Sequence, residues 1–239
     1  MDAVTAVAPP LPTGWVVSQR WRWVSFVHWR VPSDVVAPLL PPGTRPDEYD
    51  GSSWVGLVAF HLSGFTVRPG IRLPYVGSFP EVNVRLYAVD AAGRRGVVFL
   101  SMEASRLLTV LGARAALQLP YVWSSMSIRV DDTIEYSSRR LGLRHPHTHL
   151  SVRPLPEPVA DDPLADFLTA RWGLHGRSWG RTRFVRNEHE PWPLQRAELV
   201  SLDDQLVAAA GLHGIADRAP DSVLYASGVT ARFAWPSPR

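Results

Sequence analysis

The 239-residue chain contains no cysteine. Disulfides and thiolate metal sites are therefore excluded, and nothing demands an oxidising compartment. It contains no lysine either, because all 25 basic residues are arginine. Codon bias in a GC-rich genome accounts for that, and the chemical consequence holds whatever the cause: no side-chain amine can form a Schiff base. Apolar runs never reach the ~18 residues that a membrane-spanning helix needs. Residues 1–14, "MDAVTAVAPPLPTG", lack the basic start of a signal peptide and read as a flexible tail ahead of a single domain over 15–236, in a cytoplasmic protein. Net charge is only +3, and the arginines are scattered among acids. Without a basic stripe, neither nucleic acid nor a membrane surface is expected as a partner. Motifs for nucleotide-binding loops, serine-hydrolase elbows and zinc proteases are missing.

Proline and tryptophan are abundant, at 22 and 10 residues. So many prolines favour turns and strand ends over long helices. Alternating apolar residues predict strands over 15–31, 53–62, 79–90, 97–103, 121–130, 132–139, 148–155, 181–189, 194–200 and 222–235. In the first of these, Trp21, Trp23, Val27, Trp29 and Val31 share one face, opposite Arg20, Arg22, His28 and Arg30. Ser33 could cap a single helical turn. Helices are expected near 105–117, near 162–173 with Asp162 as cap and Pro163 in the first turn, and near 201–211 with Ser201 as cap. The pattern is mainly β (α+β): an antiparallel β-barrel with a few helices packed outside.

The stretch "FPEVNVRLY" carries the first candidate site. Val82, Val84 and Leu86 point one way; Glu81, Asn83, Arg85 and Tyr87 point the other. An ordinary half-buried strand would turn that polar row to water. In a barrel it could instead line the lumen, where a carboxylate, an amide and a guanidinium at steps of about 7 Å would orient a small anion or carbonyl. Glu103, in step with Ser101, is either a second pocket acid or a partner of the next helix N-terminus. His28, if inward, would be a neutral donor or acceptor among arginines. His145, His147 and His149 alternate, but Pro146 interrupts them, so they read as surface residues rather than metal ligands. His189 lies between Glu188 and Glu190 and could serve as a base or be merely charged.

In chain order, "SFVHWRVP", "LLPPG", "YDGSSWVGLVAFHLSGF", "FPEVNVRLYAVD", "GVVFLSMEASRLLTVLGARAALQLPYVWSSM", "HEPWPLQRAEL" and "YASGVTARFAWP" resemble the uncharacterised YqjF-like family, a relative of acetoacetate decarboxylase. The resemblance runs from about residue 15 to 236. It implies a cone-like barrel around a pocket, with Glu81 turned inward. In acetoacetate decarboxylase the imine-forming lysine follows a proline; here Tyr121 follows Pro120, and a tyrosine forms no imine. The implied enzyme is a lyase, isomerase or dehydratase working by acid–base chemistry, without cofactor or metal. Glu81 would move a proton, Tyr121 would donate to an oxyanion, and Arg85 or Arg106 would hold a carboxylate, with Asn83, Glu103 and His28 also contacting the substrate. The alternative is a non-catalytic barrel that binds or senses an apolar small molecule. An apolar strand edge or a Trp-rich face could pair subunits into a homo-oligomer.

Overall fold

Strand β5 (Phe79–Asp90) keeps the alternation of its sequence, and nearly all of it is buried on both faces. The reason is architectural. The computed structural model describes residues 3–72, 77–107, 111, 118–142, 144–178 and 180–234. Its strands are β1 (Val17–Val31), β2 (Thr44–Pro46), β3 (Ser53–Val67), β4 (Ile71–Arg72), β5, β6 (Arg95–Ala104), β7 (Tyr121–Val130), β8 (Ile134–Arg140), β9 (His147–Pro158), β10 (Gly173–Ser178), β11 (Arg181–Glu188), β12 (Leu194–Asp204) and β13 (Ser222–Phe233). They form one sheet. Within it, β6-β7-β8-β9-β12-β13-β1-β3-β5 closes into a ring, because β5 pairs back onto β6. Most neighbours are antiparallel; β6 runs parallel to both β7 and β10.

One apolar cluster draws side chains from every strand of this ring, among them Trp29, Leu57, Val84, Val98, Met126, Tyr136, Leu150, Leu199 and Tyr225. Only the interior of a closed ring can bring these together. Val36 of α1 (Ser33–Val36), together with Leu206 and Val207, joins the same cluster. Each large side chain buried there contributes about 1.5–3 kcal/mol. Tyr136 crosses the interior and donates to the Trp23 carbonyl at 2.8 Å.

The outer face differs around the ring. On β8 and β9 it meets solvent, as the exposed pair Ser137–His149 shows. Over β1, β3, β5 and β6 it is roofed by α2 (Pro163–Thr169), β10 and β11. The side chain of Asp162 caps α2 by accepting from the Leu164 and Ala165 amides, both at 3.0 Å. Val4 packs into this roof, and Trp172 donates to the Thr5 carbonyl. The ring has two buried layers on this side, one within it and one beneath the roof.

Several expectations are corrected. The first strand does not keep one apolar face: a register shift between Arg22 and Ser25, with Trp23 at φ 53°, sends Trp21 outward and Trp29 inward. Gly228 sits opposite this bulge, where a Cβ would collide with the Trp21 carbonyl. The expected helix near 201–211 is strand in its first four residues and helix in only four. β12 pairs with β9 as far as Asp204, leaving only α3 (Leu206–Ala209). Ser33 caps no helix; its hydroxyl donates to Glu48 instead. Strands β2, β4 and β10 had no clear sequence signal. Most of the helix expected near 105–117 lies outside the described residues.

Candidate active site on the roofed face of the ring

Glu81, Asn83, Arg85 and Tyr87 alternate with the inward-facing valines, so they point away from the ring interior. The lumen placement expected for this row is therefore corrected: the row is buried, but beneath the roof. Inward positions on β5 are filled by Val82, Val84, Leu86 and Ala88.

Glu81 is 1% exposed, in a layer with Phe60, Phe79, Met102 and Ala104. Tyr121 stands beside Met102 across the short parallel pairing of β6 and β7. Its hydroxyl donates to Glu81 Oε2 at 3.0 Å. Asn83 Nδ2 approaches Oε1 at 3.4 Å, and its own Oδ1 has no partner. Burial raises the Glu81 pKa to about 7; the two donors oppose the rise and the charge of Glu103 adds to it. Burial, and then Glu81 itself, push the Tyr121 phenol well above its usual value. The pair is thus a carboxyl that exchanges its proton near neutrality, held by a phenol that keeps its own.

Arg85 lies further along the strand and does not reach this carboxyl. Its Nε donates to Tyr87 Oη at 3.0 Å and its Nη2 to the Leu168 carbonyl at 2.9 Å. Tyr87 also donates to Leu168 O, at 2.9 Å. With the phenol proton spent there, His28 Nε2 must donate to Tyr87 Oη, 2.6 Å away, which leaves Nδ1 a free acceptor. Burial, then Arg85 and Arg171, hold the His28 pKa well below its ordinary value, so the ring is neutral. Gly56 lies between His28 and Arg85, and a Cβ there would come within 2.8 Å of His28 Nε2. Among the described residues Arg85 has no carboxylate partner. Below α2, Asp47 pairs with both Arg95 and Arg171. Burial works against its ionisation, but these guanidiniums win and hold its pKa below the usual range.

Glu103 faces inward and is not a free acid. Arg140 grips it through Nε and Nη2, the latter at 2.8 Å, and Ser124 donates at 2.7 Å. Arg106 Nε lies 3.4 Å from the Ser78 carbonyl. The three alternating histidines disperse: His145 to the Arg140 carbonyl, His147 to Asp203 and His149 to Ser137. No group of three or more metal-ligating side chains exists among the described residues. His189 is enclosed by Trp172 and Trp192, each 4.6 Å away between ring centroids, and its Nδ1 donates to Glu190 O. Sequence reasoning missed Tyr87 as a hub and Arg140 as the partner of Glu103. The first was visible as the fourth member of the polar row; the second had no local signal. No helix among the described residues is long and apolar enough to cross a membrane.

Comparison with solved structures places the fold. Acetoacetate decarboxylase from Legionella pneumophila superposes with a TM-score of 0.65 at 12% identity, over 96% of this chain and 92% of that one. An acetoacetate decarboxylase-like enzyme from Sphingomonas wittichii RW1 gives 0.61 at 13%, over 93% and 92%. The enduracididine biosynthesis enzyme MppR, complexed with the condensation product of pyruvate and imidazole 4-carboxaldehyde, gives 0.59 at 15%, over 98% and 90%. At such identities the likeness shows the fold, which is mainly β and acetoacetate decarboxylase-like. In sequence, the chain is 31% identical to the uncharacterised protein YqjF of Bacillus subtilis (strain 168) over 230 residues, 95% of this chain and 93% of the relative. The family model DUF2071, described as an uncharacterised conserved protein, matches residues 18–230, and the chain belongs to that family.

Proposed function

We propose that this protein is a small-molecule enzyme of the lyase, isomerase or dehydratase type, using Glu81 to move a proton on a carbonyl substrate. The observation that carries this reading is the buried Glu81 carboxyl, hydrogen-bonded to Tyr121, with a pKa of about 7. A group poised there accepts and returns a proton at neutral pH. The proposed step begins with ionised Glu81, which removes a proton from the carbon next to the carbonyl. The C–H pair moves into the new C=C bond and the carbonyl π pair onto oxygen, and the Tyr121 hydroxyl turns from the newly protonated carboxyl to donate its hydrogen bond there. Arg85, without a carboxylate partner, would hold an anionic group of the substrate, and Asn83 and His28 offer free acceptors to its hydroxyl or N–H groups. An imine route is closed, since the chain has no lysine. MppR, a structural neighbour, has been captured with pyruvate, which makes a small 2-oxo acid a reasonable first substrate to try.

A second reading is favoured by one observation: both Glu81 oxygens already have donors and Arg85 is tied to α2, as in a binding protein whose polar row only satisfies a ligand's oxygens. Proton exchange separates the two. Pyruvate incubated with the protein in D2O should gain methyl deuterium. That rate should depend on a group near pH 7 and fall about 10²–10⁴-fold in Glu81→Gln. Exchange that is equally fast in the variant would remove Glu81 from the chemistry.

A further inference from the structure

β6 takes two different parallel partners along one edge. β10 meets it at Val97, and β7 joins from Met102 to Ala104. Over Val98 to Ser101 neither strand is paired with it, and a cleft of about 300 Å³ lies beside this gap. Glu81 does not line it. Its walls mix apolar side chains, Leu40 and Pro42, Leu119 and Pro120, and Phe99 on β6, with polar ones, Gln118, His175 and Arg177. They are also fixed. Thr182 donates to the Pro42 carbonyl at 2.7 Å, and Met102 N to the Pro120 carbonyl at 3.0 Å. Arg177 stands at the cleft, exposed, with no ion-pair partner among the described residues.

We infer that this cleft is a second small-molecule site, taking an amphipathic monoanion whose apolar body lies between the proline walls and whose charged head pairs with Arg177. Apolar side chains beside an exposed cation favour such a ligand over a neutral chain or a bare anion, because only it satisfies both features at once. The site is separate from the Glu81 reading and stands or falls without it.

Octanoate, octanol and acetate are the probes, titrated calorimetrically into the full chain. Octanoate should bind saturably, octanol more weakly and acetate not at all. Arg177→Gln changes an exposed side chain; it should weaken octanoate about tenfold and leave octanol unchanged. Near-UV circular dichroism should show the fold of Arg177→Gln intact. Absence of saturable octanoate binding to the unaltered protein would overturn the site. So would octanoate affinity unmoved by Arg177→Gln, or acetate binding as tightly as octanoate.

Discussion

Among the described residues Glu81 has two donors but no cation, so removing the stronger donor has a definite direction. Tyr121→Phe deletes the hydroxyl that lowers the Glu81 pKa, and the carboxyl should then titrate above its present value of about 7. Carboxyl-carbon NMR across pH 5 to 9 reads that rise directly. The lost hydrogen bond should cost roughly 0.5–1.5 kcal/mol in a denaturant titration. A downward move of the Glu81 titration would mean that the phenol is not its donor. At this scale, sequence resolved identity better than direction. Glu81 and Tyr121 were paired only through the resemblance to a proline-lysine position 40 residues away in the chain. Alternation placed Glu81 on the polar side of its strand without saying whether that side met lumen, roof or water. Glu103 was ambiguous because its partner, Arg140, is 37 residues away in a basic stretch that reads as surface.

At the level of elements, the Leu168 carbonyl is one of the ties between the roof and the ring. Leu168, near the end of α2, accepts from both Arg85 and Tyr87, and Tyr87 in turn is held by His28. Tyr87→Phe keeps the aromatic packing against Phe167 but removes the oxygen on which these bonds converge. It should destabilise the protein by roughly 1–3 kcal/mol and speed amide exchange over 163–169 more than in the ring strands. Exchange that rises uniformly would show that the roof and ring open together. Those strands whose apolar residues alternate for ten or more positions were legible, and β5 and β7 have the bounds expected of them. β10, "GLHGRS", was not, because its two glycines and mixed polarity give no period; it exists by pairing with β11. The helix expected near 201–211 failed for a related reason, since pairing with β9 outweighs the helical pattern of "SLDDQL".

For the whole molecule, the two buried layers hold ionisable groups with opposite effects on stability. Burial raises Glu81 from 4.5 to about 7, so the folded protein binds a proton there that the unfolded chain has already released. That contribution is fully present below pH 4.5, diminishes as pH rises through the interval, and is gone above about 7, a span worth about 3 kcal/mol. Asp204, raised mainly by burial, acts in the same sense. His28, His175 and His189 act the other way. Burial lowers each, so they favour the folded state above about pH 6.5 and withdraw that support as pH falls. The unaltered protein should therefore show a shallow stability profile between pH 5 and 7, since these slopes oppose one another. Glu81→Gln removes the Glu81 part of the falling component. Relative to the unaltered protein, it should gain stability steadily from about pH 4.5 to 7 and hold a constant advantage beyond. His28→Gln removes part of the rising component, and its profile should fall more steeply with pH. Urea titrations of the three proteins at half-unit pH steps give both difference curves. A flat difference for Glu81→Gln would mean that the carboxyl titrates in the folded protein as it does in the unfolded chain, and the proton-transfer role built on it would fail with it.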